Sequence, residues 1–179
     1  MAVTSQYQAS EINVLEGLEP VRKRPGMYIG STDARGLHHL AKEIMDNAVD
    51  EALAGFGKTI QLFHTPLKDA PSGVPEGADE TASALTVVDN GRGIPVDIHA
   101  KYKVSAMELV LTKLHAGGKF DETAYQASGG LHGVGAAAVN ALSIQMQVVV
   151  KRDKKYYFQE YRIGIPKAKV KEIPEAVMV

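Results

Sequence analysis

The feature that most narrows what this chain can become is the glycine between His115 and Gly135. His115-Ala-Gly-Gly-Lys-Phe120 is followed by Ser128-Gly-Gly-Leu-His-Gly-Val-Gly135, which puts six glycines in 21 residues. The stretch ends by opening a helix, predicted to start near Gly133 and run through Val139 to about Leu142. A helix start carries about half a unit of positive charge, and peptide N–H groups left bare by glycine can turn toward an anion without many cations nearby. The segment therefore predicts a flexible lid, residues 115–135, closed by a phosphate site. Lys119 can add a point charge toward a terminal phosphate. A surface loop with glycines for turns is the plainer alternative, yet nothing mechanical requires Gly129, Gly130, Gly133 and Gly135 in so short a span.

Upstream, Gly36 to Ala54 has helical periodicity and stops before Gly55, a residue suited to a left-handed helix end. Leu37, Leu40, Ala41, Ile44 and Ala48 recur at the spacing of one buried stripe. His39, Glu43, Asn47 and Asp50 stand at i, i+4, i+8 and i+11, which aligns four polar groups along one side. Alone, this could be the solvated face of an amphipathic helix.

The segment Val87-Val88-Asp89-Asn90-Gly91-Arg92-Gly93-Ile94-Pro95 ends an apolar strand with an acid and then alternates glycine. A carboxylate there can accept from an exocyclic amine while the glycines let backbone approach a flat ring. Adenine offers an N6 amine to Asp89, whereas guanine would present a carbonyl, a mismatch worth on the order of 1–3 kcal/mol. Turns of this type also close ordinary hairpins.

Around these motifs, Thr59–His64, Leu85–Asp89, Ile144–Arg152 and Tyr156–Ile163 alternate like strands, and Val104–His115 reads as a further helix. Residues 65–83, rich in Pro, Gly, Asp and Glu, predict an exposed loop joining two neighbouring strands. The order suits an α+β fold, a two-layer sandwich with helices on one face of a mostly antiparallel sheet. At 179 residues with 45% apolar content, one domain is expected. There are no cysteines, so disulfides and thiolate metal sites are excluded. The polar start, Met1 to Glu11, and the lack of any apolar run near about 20 residues predict a cytoplasmic protein with no membrane span. A net charge of -1 argues against a main grip on DNA. The basic knot Arg22-Lys23-Arg24 is read as a solvated turn.

Taken together, Glu43-x-x-x-Asn47, Asp89-x-Gly91-x-Gly93 and Gly130-Leu-His-Gly-Val-Gly135 resemble, in order and spacing, the three motifs of the GHKL ATPase superfamily, whose fold is of the Bergerat type. Gly17-Leu-Glu-Pro-Val-Arg-Lys-Arg-Pro-Gly-Met-Tyr-Ile-Gly30 and Leu114-His-Ala-Gly-Gly-Lys-Phe120 are similar to the ATPase subunits of bacterial gyrase B and topoisomerase IV. They are unlike sensor histidine kinases, MutL proteins or the Hsp90 chaperone. The resemblance covers nearly the whole chain to about Pro166.

It implies binding and hydrolysis of ATP with Mg2+, in the service of DNA topology change. By that resemblance Glu43 is the general base for water attack, and His39 either orients it or is a packed helix histidine. Asn47 matches the family's magnesium ligand. Asp89 matches the adenine-binding aspartate, with Gly93 beside it and Ile94 as the apolar wall next to the base. Gly117, Gly118, Lys119, Tyr125, Leu131, His132, Gly133, Val134 and Gly135 match lid contacts to ribose and phosphates. Asp50 and Arg92 correspond to supporting positions near the adenine pocket, a salt bridge being the plain explanation of Arg92.

In the polar arm, residues 1–17, Tyr7 matches a tyrosine that reaches the second copy's nucleotide site, which implies ATP-dependent dimerisation. Arg152 matches an arginine at the pocket mouth that, with Asp89, binds aminocoumarin-type inhibitors; a surface strand arginine is the alternative. The DNA-cleaving partner, gyrase A or topoisomerase IV A, and DNA are implied through regions outside this chain.

No Thr-Gly-Thr motif occurs, and Lys167 to Val179 has no convincing family counterpart, so the domain is expected to be truncated at its C-terminal side. A nucleotide-binding module without independent turnover is the alternative this leaves. Gly133-x-Gly135-x-x-Ala138 fits a loose dinucleotide fingerprint, but glycine-rich loop precedes it instead of a strand. A P-loop is excluded, because no Gly-x-x-x-x-Gly-Lys-Ser/Thr is present.

Overall fold

The computed structural model describes residues 14–69, 74–79, 81–117 and 133–175. Two short helices, α1 (Glu19–Lys23) and α2 (Gly26–Ile29), lead into α3 (Ala34–Leu53). Both short helices have proline at the start, Pro20 in the first turn of α1 and Pro25 at the cap of α2, where a missing N–H does no harm.

Asp33 sets the beginning of α3 by accepting from Arg35 N at 2.9 Å. The Ser31 hydroxyl, and then Arg35, also donate to that carboxylate and hold its pKa down at about 2. The helix ends at Leu53 and Gly55 takes φ +85°, so the expected left-handed exit is present.

One part of the predicted stripe is corrected. Ala48 is buried and Leu40, Ala41 and Ile44 are half-buried, but Leu37 is 67% exposed. Gly36 takes its place in the first turn: a Cβ there would overlap the Ser31 carbonyl and stand 3.1 Å from Ile29 Cδ1. Consecutive helix positions are about 100° apart, so packing Gly36 against the start of the helix turns Leu37 outward.

A ribbon of β1 (Ile60–Pro66) and β2 (Ser83–Asp89) follows, antiparallel with Ile60 opposite Asp89. The connection contains a short 3-10 turn, Leu67–Asp69. It is not uniformly exposed: Leu67 is buried, and Arg162 reaches back to Glu76, donating to its carbonyl at 2.8 Å and pairing with its carboxylate at 3.2 Å.

Helix α4 (Ala106–Thr112) is shorter than the predicted Val104–His115. Ser105 caps it by accepting from Glu108 N at 3.0 Å, and Lys113 is already extended. Helix α5 (Gly135–Leu142) precedes a second, four-stranded antiparallel sheet: β3 (Gln145–Arg152), β4 (Lys155–Arg162), β5 (Ile165–Pro166) and β6 (Lys171–Ile173). Strands β5 and β6 both pair with β4, and β6 lies in the tail that sequence alone left unassigned.

Met146, Val148 and Val150 alternate inward on β3, opposite Tyr161, Gln159 and Tyr157 of β4. They meet Met107 and Leu111 of α4 and Ala136 of α5, so these helices share one face of the sheet. A second cluster joins Leu18 and Val21 of the α1 region to Ala137, Ala138 and Ala141 of α5. Arg22 is more than a solvated turn residue. Its guanidinium donates to Ala141 O at 2.8 Å, where the end of α5 favours a cation.

Gln159 and Tyr161 are buried polar groups that satisfy one another. Tyr161 donates to Gln159 Oε1, while Gln159 Nε2 donates to Glu108 Oε2 at 2.6 Å and Ala168 O at 3.0 Å. Burial, with a smaller effect from the Glu108 charge, pushes the Tyr161 hydroxyl pKa well above its usual value. Among the described residues, no helix is long and apolar enough to cross a membrane.

Candidate functional site

Helix α3 organises the site. His39, Glu43 and Asn47 follow each other at one-turn spacing, and Asp50 continues the flank into the interior, where it is 1% exposed. The Glu43 carboxylate has 25% of its side-chain surface exposed, and His39 Nδ1 stands 3.5 Å from its Oε1. That nitrogen is buried without a hydrogen-bond partner, so it faces the carboxylate without the alignment of a hydrogen bond. Asn47 donates its amide nitrogen to Glu43 O at 3.0 Å, which orients the amide and puts its oxygen on the opposite side.

The start of α5 meets this flank at Glu43. A Cβ placed on Gly135 would overlap Glu43 Oε2 and come within 2.8 Å of Cδ and 3.1 Å of Cβ. Val134, the residue before the helix, supplies no side-chain cap. Gly133 has φ +60°, a conformation suited to glycine, and its carbonyl accepts from His115 N at 3.0 Å. The two described ends of the predicted lid therefore meet at one neck. Gly117 is exposed, with nothing close to where its Cβ would be.

At the other end of the helix lies the turn after β2. Asp89 Oδ1 accepts from Gly91 N at 2.8 Å, while Asn90 Oδ1 accepts from Lys58 N at 2.8 Å and Thr59 N at 2.9 Å. Glu51 of α3 then grips Arg92. Its Oε2 accepts from the backbone N and from Nε, each at 3.0 Å, and its Oε1 from Nη2 at 2.8 Å. The guanidinium also lies over the Phe56 ring, 3.7 Å from the centroid. Arg92 is thus the salt-bridge residue its plainest reading suggested.

Neither Glu51 nor Phe56 was identified by sequence reasoning. Glu51 carries one usable signal, its position one turn beyond Asn47 on the polar side of the helix. Gly93 has φ +74°, and a Cβ there would stand 2.7 Å from Val150 Cγ1. Its carbonyl accepts from Arg152 Nη1 at 2.8 Å, which ties the end of β3 to the turn and makes Arg152 more than a surface strand residue. Ile94 packs on the cluster of Met107, Leu111, Val150 and Tyr161.

The structure therefore places Glu43, His39 and Gly135 together, sets Asn47 and Asp50 on the same helix, and connects that helix through Glu51 to the turn holding Asp89, Gly93 and Ile94, to which Arg152 is tied from the end of β3. Tyr7, Gly118, Lys119, Tyr125, Leu131 and His132 lie outside the described residues. A separate cleft of about 360 Å³, lined by Tyr102, Glu108, Lys113 and Pro166 among others, includes none of the predicted site residues. No group of three or more His, Asp or Glu side chains is disposed to hold a metal among the described residues. Asn47 can still supply a single amide oxygen, which suits a hard cation that takes its other ligands from phosphates and water.

Comparison with known proteins identifies the family and the fold. Residues 32–174 match the family described as histidine kinase-, DNA gyrase B-, and HSP90-like ATPase. The chain is 53% identical over 167 residues to the DNA gyrase B protein of Treponema pallidum, covering 93% of this chain and 24% of that protein. It is 54% identical over 170 residues to the DNA gyrase B protein of Enterococcus faecalis, covering 95% and 24%. Among solved structures it resembles the 43K ATPase domain of Thermus thermophilus gyrase B in complex with an aminocoumarin. That similarity has a TM-score of 0.68 and 39% identity, over 88% of this chain and 35% of the other. The chain spans about a quarter of the length of the two gyrase B relatives. With its helices and antiparallel sheets arranged as in that solved ATPase domain, and its motifs in the family's order, the chain belongs to the histidine kinase-, DNA gyrase B- and HSP90-like ATPase family.

Proposed function

We propose that this chain binds ATP with Mg2+ and hydrolyses it, as the ATPase part of a type IIA DNA topoisomerase of the gyrase B or topoisomerase IV kind acting in the cytoplasm. The observation that carries this reading is that one helix, α3, touches both the glycine start of α5 and the turn bearing Asp89. Glu43 and Glu51, which make those two contacts, are eight residues apart, about 12 Å along a helix. An elongated nucleotide can then lie with its base at the Asp89 end and its phosphates at the α5 end.

In that pose Asp89 Oδ2 accepts from the adenine amine while Oδ1 holds the Gly91 turn. Ile94 forms the apolar wall. Asn47 is the protein ligand for Mg2+, which when bound neutralises phosphate charge. Glu43 takes the proton from the attacking water, and His39 orients its carboxylate. The lid residues Gly117, Gly118, Lys119, Tyr125 and Leu131 to Gly135 surround the phosphates and ribose.

Tyr7 completes the site of a second copy and so makes dimerisation ATP-dependent. A DNA-cleaving partner and DNA are engaged through other regions of the longer protein. Arg152, held at Gly93, and Asp89 bind aminocoumarin-type inhibitors, as the solved relative was captured in complex with one.

Calorimetry with a non-hydrolysable ATP analogue, with and without Mg2+, tests the assignment. Asp89→Asn is expected to weaken binding roughly tenfold to a hundredfold. Glu43→Ala is expected to keep analogue binding and lose turnover by about a hundredfold or more. Guanosine nucleotides binding as well as adenosine ones would remove Asp89 from its role.

A further inference from the structure

Gly135 is the first residue of an eight-residue helix, and its φ is not among the positive ones, so its backbone would accept any L residue. Alanine would be the better helix former at that position. The three alanines that follow show that the start of α5 tolerates methyl groups in general. What excludes a methyl at Gly135 is one side chain: all three of the nearest atoms to a built Cβ belong to Glu43. Rotating the carboxylate aside would not fully relieve the crowding, because Glu43 Cβ, fixed by the α3 backbone, would still be 3.1 Å away.

The same contact serves the helix start. The first N–H groups of α5 have no side-chain cap from Val134, and the partial positive charge there favours an anion. The carboxylate of Glu43 lies against that end, with His39 Nδ1 on its other oxygen.

We propose that Gly135 is a positioning residue for Glu43: the missing side chain seats the carboxylate against the first turn of α5, and that contact fixes its direction. This rests on the reading of Glu43 as the base. It assigns Gly135 a task beyond exposing backbone to phosphate, since a substitution there moves the base even with no nucleotide bound.

Thermal unfolding of the full chain tests this with a double-mutant cycle of Gly135→Ala, Glu43→Ala and the pair. In the Glu43→Ala background, where only the 3.1 Å contact to Cβ remains to offset the helix gain of alanine over glycine, Gly135→Ala is expected to change Tm by no more than about 2 °C. With Glu43 present, the same change is expected to lower Tm by roughly 5 °C. Shortening the acid relieves the overlap, so Glu43→Asp is expected to restore part of the loss in Gly135→Ala. If Gly135→Ala fails to fold but the pair folds, the proposal stands. Equal effects in the two backgrounds, or failure of both proteins to fold, overturn it.

Kinetics then separate positioning from mere packing. Gly135→Ala is expected to lower kcat about tenfold or more with KM held within about threefold, whereas an unchanged kcat refutes the positioning role. Loss of the base assignment would be visible elsewhere, as wild-type turnover in Glu43→Ala, and would leave the difference in Tm between the two backgrounds untouched.

Discussion

The two sheets hold their positions by different means. In the β3–β4 sheet the inward residues are enclosed by α4 and α5: Tyr161 is 0% exposed and Val150 5%. In the β1–β2 ribbon, Leu62 and Phe63 are each 49% exposed and Val88 44%. Yet the ribbon carries Asp89, whose place is set by polar clamps from Asn90 and Gly91 and by the Glu51–Arg92 grip on the turn that follows. The α5 end of the candidate site is thus fixed by packing, and the Asp89 end, where we propose the base lies, by directional bonds near the surface. Hydrogen bonds at a half-exposed site each contribute little but define angles sharply, which suits a contact that must tell an amine from a carbonyl.

This contrast can be broken at its strong end first. Tyr161→Ala is expected to destabilise the fold by about 3–5 kcal/mol in urea unfolding, because it empties a fully enclosed site and strands Gln159. Phe63→Ala on the ribbon should stay near 0.5 kcal/mol, and a comparable loss at both residues would erase the distinction.

Next in size is Glu51→Ala, which removes three hydrogen bonds to Arg92. Partial exposure of the guanidinium limits the stability loss to about 1 kcal/mol. The larger readout is expected in ATP-analogue affinity, since the turn bearing Asp89 loses its tie to α3. An affinity equal to wild type would show that the clamp does not govern the base end.

The smallest effect concerns Asp33, at the start of the helix both ends share. Its carboxylate sits at about 2 when folded against an ordinary 3.8, so its contribution is complete above about pH 4 and fades as pH falls through 2. Asp33→Asn keeps a capping side chain but cannot titrate. It should therefore flatten the acid limb of Tm between those values, lowering Tm slightly at neutral pH, where the charged carboxylate contributes fully, and converging with wild type as pH falls to about 2. An unaltered acid limb would assign that limb to other carboxylates.

Much of this arrangement was legible because it depends on short-range pattern. The alternation of Met146, Val148 and Val150, the helical spacing through Ala48 with its glycine stop, and the glycine spacing before α5 each reflect a local geometric requirement. What escaped depends on partners distant in sequence. The outward turn of Leu37 follows from Gly36 packing near Ser31, and the structural use of Arg22 from a carbonyl at Ala141. Helices α1 and α2, at five and four residues, are too short to display a period. Strand β6 is a lysine-bearing edge of three residues whose pairing with Tyr156, Tyr157 and Phe158 no local rule announces. Glu51 was overlooked for a similar reason, since its value lies in reaching an arginine 41 positions away.

The neck between His115 N and Gly133 O carries an engineering consequence. Because His115 and Gly133 are joined directly by this hydrogen bond, the two ends of the segment between them are held together whatever the number of residues that separates them. Each doubling of a tethered loop adds only about 0.6 kcal/mol of closure entropy. Insertions or deletions between the two anchors should then be tolerated by the scaffold far better than any displacement of the anchors themselves, so loops of different reach could be grafted here without redesigning the core.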